Sequence, residues 1–275
     1  MTPAATVTAV FGRTDAGLLA AQVEDLAFLA APHAAGLRVL SSWQSKKPLS
    51  AWTVDDFYGA DGIVPDEAGF RARVEEAAEH QRELRLLDRR SLPTGVETPW
   101  GASQHSKLYD EGVTFHSTAS HGGFQLSPEC NVAVDVRLRN PGGWYEEDAE
   151  WAKVAFTFPA LFTTFERRHA DITLRNDQPD AWEAILGVVL LPGESWMKDR
   201  RLFARANADR WVVVAATRSD DHPGMTLCTV TRGGSRQNAA VREFLVPAAE
   251  YDPGRFGFVI DEARHARFDR GAAGG

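Results

Sequence analysis

The stretch QHSKLYDEGVTFHST, residues 104–118, decides the fold class. Gln104–Tyr109 and Val113–Thr118 read as two strands. Asp110-Glu111-Gly112 between them is a hairpin turn, with glycine where a positive φ is needed. In the second run Val113, Phe115 and Ser117 share one face, and Thr114, His116 and Thr118 share the other. Ser120-His121-Gly122-Gly123 follows as a tight polar bend, and a short strand restarts at Phe124. Downstream, Glu146 to about His169 reads as a helix that Pro159 kinks or divides. Pro179 opens another helix through Trp182, Ile185 and Leu186, and Glu194–Ala206 reads as one more. Trp211–Thr217, Met225–Thr231 and Val241–Val246 then form an antiparallel meander, with Phe256–Ile260 as an edge strand.

Upstream, residues 6–11 alternate as a short strand. Thr14 caps an expected helix whose Leu18, Leu19, Val23, Leu26 and Leu29 keep to one face, stopped by Pro32 and Gly36. Leu37–Trp43 is a strand, and Thr53-Val54-Asp55-Asp56 has the form of a capping box. Asp66 opens a long helix to about Arg90, with Phe70, Val74, Ala77, Ala78, Gln81 and Leu84 on its inner stripe. Ser91–Pro99, with two prolines, one glycine and no periodicity, reads as a linker. The expectation is an α+β protein, because strand pairs and helix runs segregate. Its antiparallel sheet, a hairpin plus a C-terminal meander, packs with helices over residues 96–275. A smaller N-terminal α/β lobe covers 1–95.

The 275 residues are 44% hydrophobic and 25% charged, an ordinary globular mixture. Net charge is −8, which argues against a nucleic-acid partner. Residues 98–190 carry 7 basic and 13 acidic side chains, whereas 191–275 carry 13 and 11. Only five of the 30 basic residues are lysines; with the many alanines this suggests a GC-rich bacterial genome. Cys130 and Cys228 stand alone, so a multi-cysteine zinc site is excluded and two reduced, buried thiols are expected. The start lacks a signal-peptide pattern, and Ile185–Leu191 is too short to span a bilayer. A cytoplasmic protein with no membrane contact is expected.

Thr98–Gly101 (T-P-W-G), Ser117–Phe124 (S-T-A-S-H-G-G-F) and Gly143–Asp148 (G-W-Y-E-E-D) carry a resemblance. Over about residues 98–268 the chain resembles an uncharacterised proteobacterial family of unknown function, found largely on plasmids and other mobile elements. The resemblance implies a context of mobile DNA in a bacterium. It implies no activity and no catalytic residue.

The candidate ligand-binding residues are His116, Ser117, Ser120, His121, Gly122, Gly123, Trp144 and Glu147. A titratable imidazole, two hydroxyls and backbone freed of Cβ meet in a few residues at a strand end. His121-Gly122-Gly123-Phe124 is similar to the oxyanion loop of some lipases, yet the required G-x-S-x-G elbow is absent. His116 and His121 with Glu146, Glu147, Asp148 and Glu150 offer nitrogen and oxygen donors, but no H-E-x-x-H or deaminase pattern occurs. No metal and no cofactor are therefore expected. Each motif also has a plainer reading. A Gly-Gly pair ends a strand, acidic residues stabilise a helix start, and Arg232-Gly233-Gly234-Ser235-Arg236-Gln237-Asn238 makes an exposed hairpin tip.

Two functional classes follow. One is a non-enzymatic accessory or counter-defence protein of a mobile element that binds a host protein. The other is a small-molecule or phosphate-handling, hydrolase-like enzyme using the His116/His121 bend. The lack of a complete catalytic motif favours the first and leaves enzymatic activity open.

Overall fold

The computed structural model describes residues 7–43, 46–237 and 240–269. Residue 6 of the expected first strand, Asn238 of the expected hairpin tip and the tail 271–275 lie outside them. The chain divides into two compact units, Met1–Leu174 and Arg175–Gly275. The expected boundary at 95/96 falls inside the first unit.

The first unit opens with five antiparallel strands in meander order: β1 (Ala9–Arg13), β2 (Leu19–Val23), β3 (Leu26–His33), β4 (Gly36–Trp43) and β5 (Gly59–Val64). This sheet pairs consecutive strands antiparallel, so the N-terminal region is not the α/β lobe expected from sequence. The helix expected over Leu18–Leu29 is the β2–β3 hairpin, closed at Glu24 with φ 53°. Its residues mimicked a helical stripe because both faces of the sheet are covered. Ala21, Val23, Phe28 and Ala30 pack with Phe70, Val74 and Ala78 of α1 (Glu67–Leu86). Ala20, Ala27 and Leu29 pack on the other side against Trp52. A strand buried on both faces reads as a continuous apolar run rather than an alternation.

Asp66 caps α1 as expected, its carboxylate accepting from Gly69 N at 2.9 Å. The capping box at Thr53–Asp56 is also present. The expected linker is no linker. Its first residues belong to β6 (Arg90–Leu92), an edge strand of the second sheet, and a small ribbon follows from β7 (Glu97–Thr98) and β8 (Gly101–Ala102). The second sheet has the order β12-β11-β10-β9-β6, with β9 (His105–Asp110), β10 (Val113–Ser117), β11 (Gly122–Leu126) and β12 (Trp144–Glu146). The β9–β10 hairpin matches expectation, with Gly112 at φ 78°.

α2 (Pro128–Ala133) follows β11. The helix expected from Glu146 to His169 is broken up. Glu146 ends β12, α3 (Trp151–Thr157) follows, and a 3₁₀ turn at Pro159–Leu161 separates it from α4 (Thr164–Asp177). Pro159 divides the helical run, as its missing N–H requires. Arg89 ties α1 to this region. Its guanidinium donates to both carboxylate oxygens of Glu166 at 2.9 and 2.6 Å and lies over the Tyr109 ring.

In the second unit, α5 (Pro179–Leu186) and α6 (Trp196–Ala206) precede a sheet of β13 (Trp211–Arg218), β14 (Met225–Arg232), β15 (Val241–Pro247) and β16 (Ala266–Phe268). Trp211, Cys228, Val230, Phe244, Val246 and Ile260 form its core. The meander stands as expected. The Phe256–Ile260 edge strand does not: it makes the single bridge Val212↔Val259, and β16 is the edge beside β15. Both cysteines are free thiols, but Cys130 is only half-buried. Burial raises the Cys228 thiol to about 11. Among the described residues no helix is long and apolar enough to cross a membrane.

Candidate functional site

The pairing register sorts the candidate residues. Phe115, Phe124 and Tyr145 lie in one row across β10, β11 and β12; His116, Gly123 and Glu146 form the next row and face the opposite way. The first row packs inward, where Phe124 meets Phe115, Tyr109 and Phe162. On the second face His116 is only 2% exposed. Its Nδ1 is 2.8 Å from Ser106 Oγ and its Nε2 is 3.3 Å from Gln125 Oε1. Its ring packs on Trp144, which meets Trp100 edge to face. Burial depresses its pKa, so it is a neutral, satisfied core histidine at pH 7.

Gly122 and Gly123 are not the bend itself. They start β11, paired with Ser117 and His116, and neither has a positive φ. The turn is Thr118–His121, where the Thr118 hydroxyl donates to His121 O at 2.8 Å. The glycines serve close approach instead. A Cβ on Gly123 would lie 2.3 Å from Tyr145 O and 2.4 Å from the Trp100 ring. A Cβ on Gly122 would meet the Glu147 carboxylate at 2.4 Å and His116 O at 2.8 Å. Trp100 thus sits over Gly123, in the row between His116 and Glu146. Nothing positions backbone N–H groups of these two glycines as an anion cradle, since both residues are committed to the sheet.

The structure does not bring His116 and His121 into one donor group. His121 is exposed at the rim, with Nδ1 3.8 Å from Glu146 Oε1. His121, Glu146 and Asp148 each offer a ligand atom within 4.8 Å of the others, so this trio is where a divalent cation would be held. Glu146 and Asp148 become partners of His121 only through the β11–β12 pairing, which sequence spacing did not reveal. Glu150, grouped with them in the sequence, is engaged elsewhere. It pairs with the buried Lys153 at 2.7 Å and accepts from Asn140 Nδ2 at 2.8 Å. Asn140, Asn131 and the Tyr145 hydroxyl complete this internal network. Ser117 and Ser120 have no imidazole on their hydroxyls among the described residues, so no nucleophile–base pair forms at the bend.

The three motifs, T-P-W-G, S-T-A-S-H-G-G-F and G-W-Y-E-E-D, therefore converge on one object: the Trp100–Trp144–His116 stack over the Gly123 gap. Residues 93–208 match the family model Domain of unknown function (DUF7007). The DUF7007 segment runs from β7 through α6 and leaves out the first sheet, α1 and the C-terminal meander. No curated protein and no solved structure matches the chain.

Proposed function

We propose that this protein is a non-enzymatic binding protein, an accessory or counter-defence factor of a bacterial mobile element that docks on a host protein. The observation that carries the reading is the segment between α5 and α6. Leu186, Val188, Val189 and Leu191 are all exposed, Val189 at 76% and Leu191 at 64%. Single exposed apolar residues are ordinary, but four within six residues are the mark of an interaction surface. The segment is held in shape rather than loose: Glu183 accepts from Leu190 N at 2.6 Å and pairs with Lys198 of α6. α6 itself presents exposed Arg200, Arg201, Leu202 and Arg205, so the partner surface is apolar with an acidic rim. The mobile-element setting rests on the motif resemblance. The competing enzymatic reading at the bend has less behind it, because both His116 nitrogens already have partners inside the sheet.

A photo-crosslinking residue at Val189, irradiated in a bacterial lysate, tests the reading. The expected result is one discrete adduct that Leu191→Asp removes while the circular dichroism spectrum stays unchanged. A folded protein giving no adduct, or an adduct only with itself, would overturn it.

A further inference from the structure

We infer that the first unit contains a binding pocket for a small, neutral, planar aromatic compound carrying a hydrogen-bond acceptor, between the β3–β4 end of the first sheet, α1 and α4. This site is separate from the bend and from the α5–α6 segment.

The cavity follows from the chain's own periodicities. On the sheet, Leu26 pairs with Trp43 and Phe28 with Ser41, so all four side chains face α1. On α1, Arg73, Glu76, Ala77 and His80 stand at i, i+3, i+4 and i+7, one stripe beside the buried Phe70–Val74–Ala78 stripe. Phe165 of α4 closes the end. Ser41 and Ala77 are small, and they leave a cavity of about 260 Å³. An apolar cavity of roughly 150 Å³ admits benzene, so this one takes a two-ring molecule.

The polar groups choose the ligand class. Arg73 donates to Glu76 at 3.1 Å and to Asp61 O at 3.0 Å, and Glu76 also pairs with Arg168. With Arg168, the partner of Glu76, the lining charges Asp61, Arg73 and Glu76 sum to zero, so the pocket carries no net charge to favour a charged ligand. Beyond these charges the polar side chains that line the pocket are Ser41 and His80. The His80 ring leans on Phe165, with centroids 4.9 Å apart. Its Nδ1 lies 2.8 Å from Thr163 Oγ1. Thr163 is 2% exposed, and its oxygen already accepts from Glu166 N at 3.1 Å. Among the described residues His80 Nδ1 is the acceptor within reach of the buried Thr163 hydroxyl proton, so the hydroxyl donates to it and the imidazole proton sits on Nε2. That N–H has no partner among the described residues. Burial depresses the His80 pKa and keeps the ring neutral at pH 7. The pocket thus offers aromatic walls and two neutral donors, the His80 N–H and the Ser41 hydroxyl, the usual make-up of a specific small-molecule site.

The test uses indole-3-carboxaldehyde, with indole, indole-3-acetate and tryptamine as controls, followed by heteronuclear NMR on the full chain. The aldehyde should bind saturably, shifting the His80 ring and the Ala77 and Leu26 methyl signals. Indole, which lacks the acceptor, should bind about threefold to tenfold more weakly, and both charged analogues more weakly still. His80→Phe keeps the ring contact and should reduce the aldehyde to the affinity of indole without changing indole itself. Ala77→Trp and Ser41→Leu should each abolish binding by filling the space. The proposal is overturned by no saturable shifts in the wild type, by shifts centred elsewhere, by tryptamine binding as well as the aldehyde, or by wild-type affinity in either filled variant when folded.

Discussion

At Gly123 the distance from a virtual Cβ to Tyr145 O is 2.3 Å, and backbone cannot yield as a flexible side chain can. Gly123→Ala should therefore cost about 1–3 kcal/mol, the ordinary cost of overpacking. Gly122→Ala should cost less, because its nearest obstacle is the movable end of Glu147 and the backbone it meets, His116 O, is farther off at 2.8 Å. His121→Ala, on an exposed side chain, should stay within about 0.5 kcal/mol of wild type. Urea unfolding of the three variants checks the order. An equal loss at all three positions would contradict the packing argument. The buried imidazole of His116 and the partly buried ones of His80 and His169 make a second statement at this scale. Desolvation depresses the pKa values of His80, His116 and His169. Their unfolded-state values stay near 6.5, so below that pH the unfolded chain binds more protons than the native one. Thermal stability should be level above about pH 7 and fall as pH drops through 6.5 toward the lowered native values. A melting temperature unchanged between pH 7.5 and 5.5 would refute it.

Among the elements, α1 was legible because Asp66, the Phe70–Val74–Ala78 stripe and a polar outer face all agree on one helix. The β9–β10 hairpin was legible because Gly112 sits where only glycine is comfortable. β2 and β3 were not, since their turn uses Glu24-Asp25 rather than a glycine pair and their two faces are both buried. β12 has three residues, too few for any periodicity. β6, equally short, hid inside an apparent linker. The Arg89–Glu166 bridge joins the chain just after α1 to α4 across 77 positions of sequence. Arg89 is 9% exposed and Glu166 is 20% exposed. Removing Arg89 leaves the carboxylate partly buried without its partner. Arg89→Ala should destabilise by about 3–5 kcal/mol, and Arg89→Ala/Glu166→Ala by less than the sum of the singles. Additive losses in a double-mutant cycle would show that the pair is not coupled.

Within the first unit, contacts of residues before 95 with residues after 96 are extensive. β6 pairs with β9, His80 meets Thr163, Glu83 accepts from Thr164, and Glu76 pairs with Arg168. A 100–275 fragment should consequently lose the native environment of Trp100, Trp144 and Trp151. Near-ultraviolet circular dichroism of that fragment is expected to lack the full-length tryptophan signal in part. A fragment that keeps the whole signal would restore a boundary near residue 95.

The sequence by itself determined the α+β class, α1 and its cap, the central hairpin, the division of the helical run at Pro159 and the C-terminal meander. Each of these rests on local rules: a periodicity, a cap, a turn residue or a missing N–H. It also singled out the segment where three motifs meet. Only the tertiary structure decided where that segment's side chains go. His116 and His121 are five residues apart, yet one is buried against Trp144 and the other stands at the rim with Glu146 and Asp148. Strand register, set by pairing between segments far apart in sequence, assigns each side chain to a face. The same non-local packing covers β2 and β3 on both faces and so erases the alternation that would have announced them.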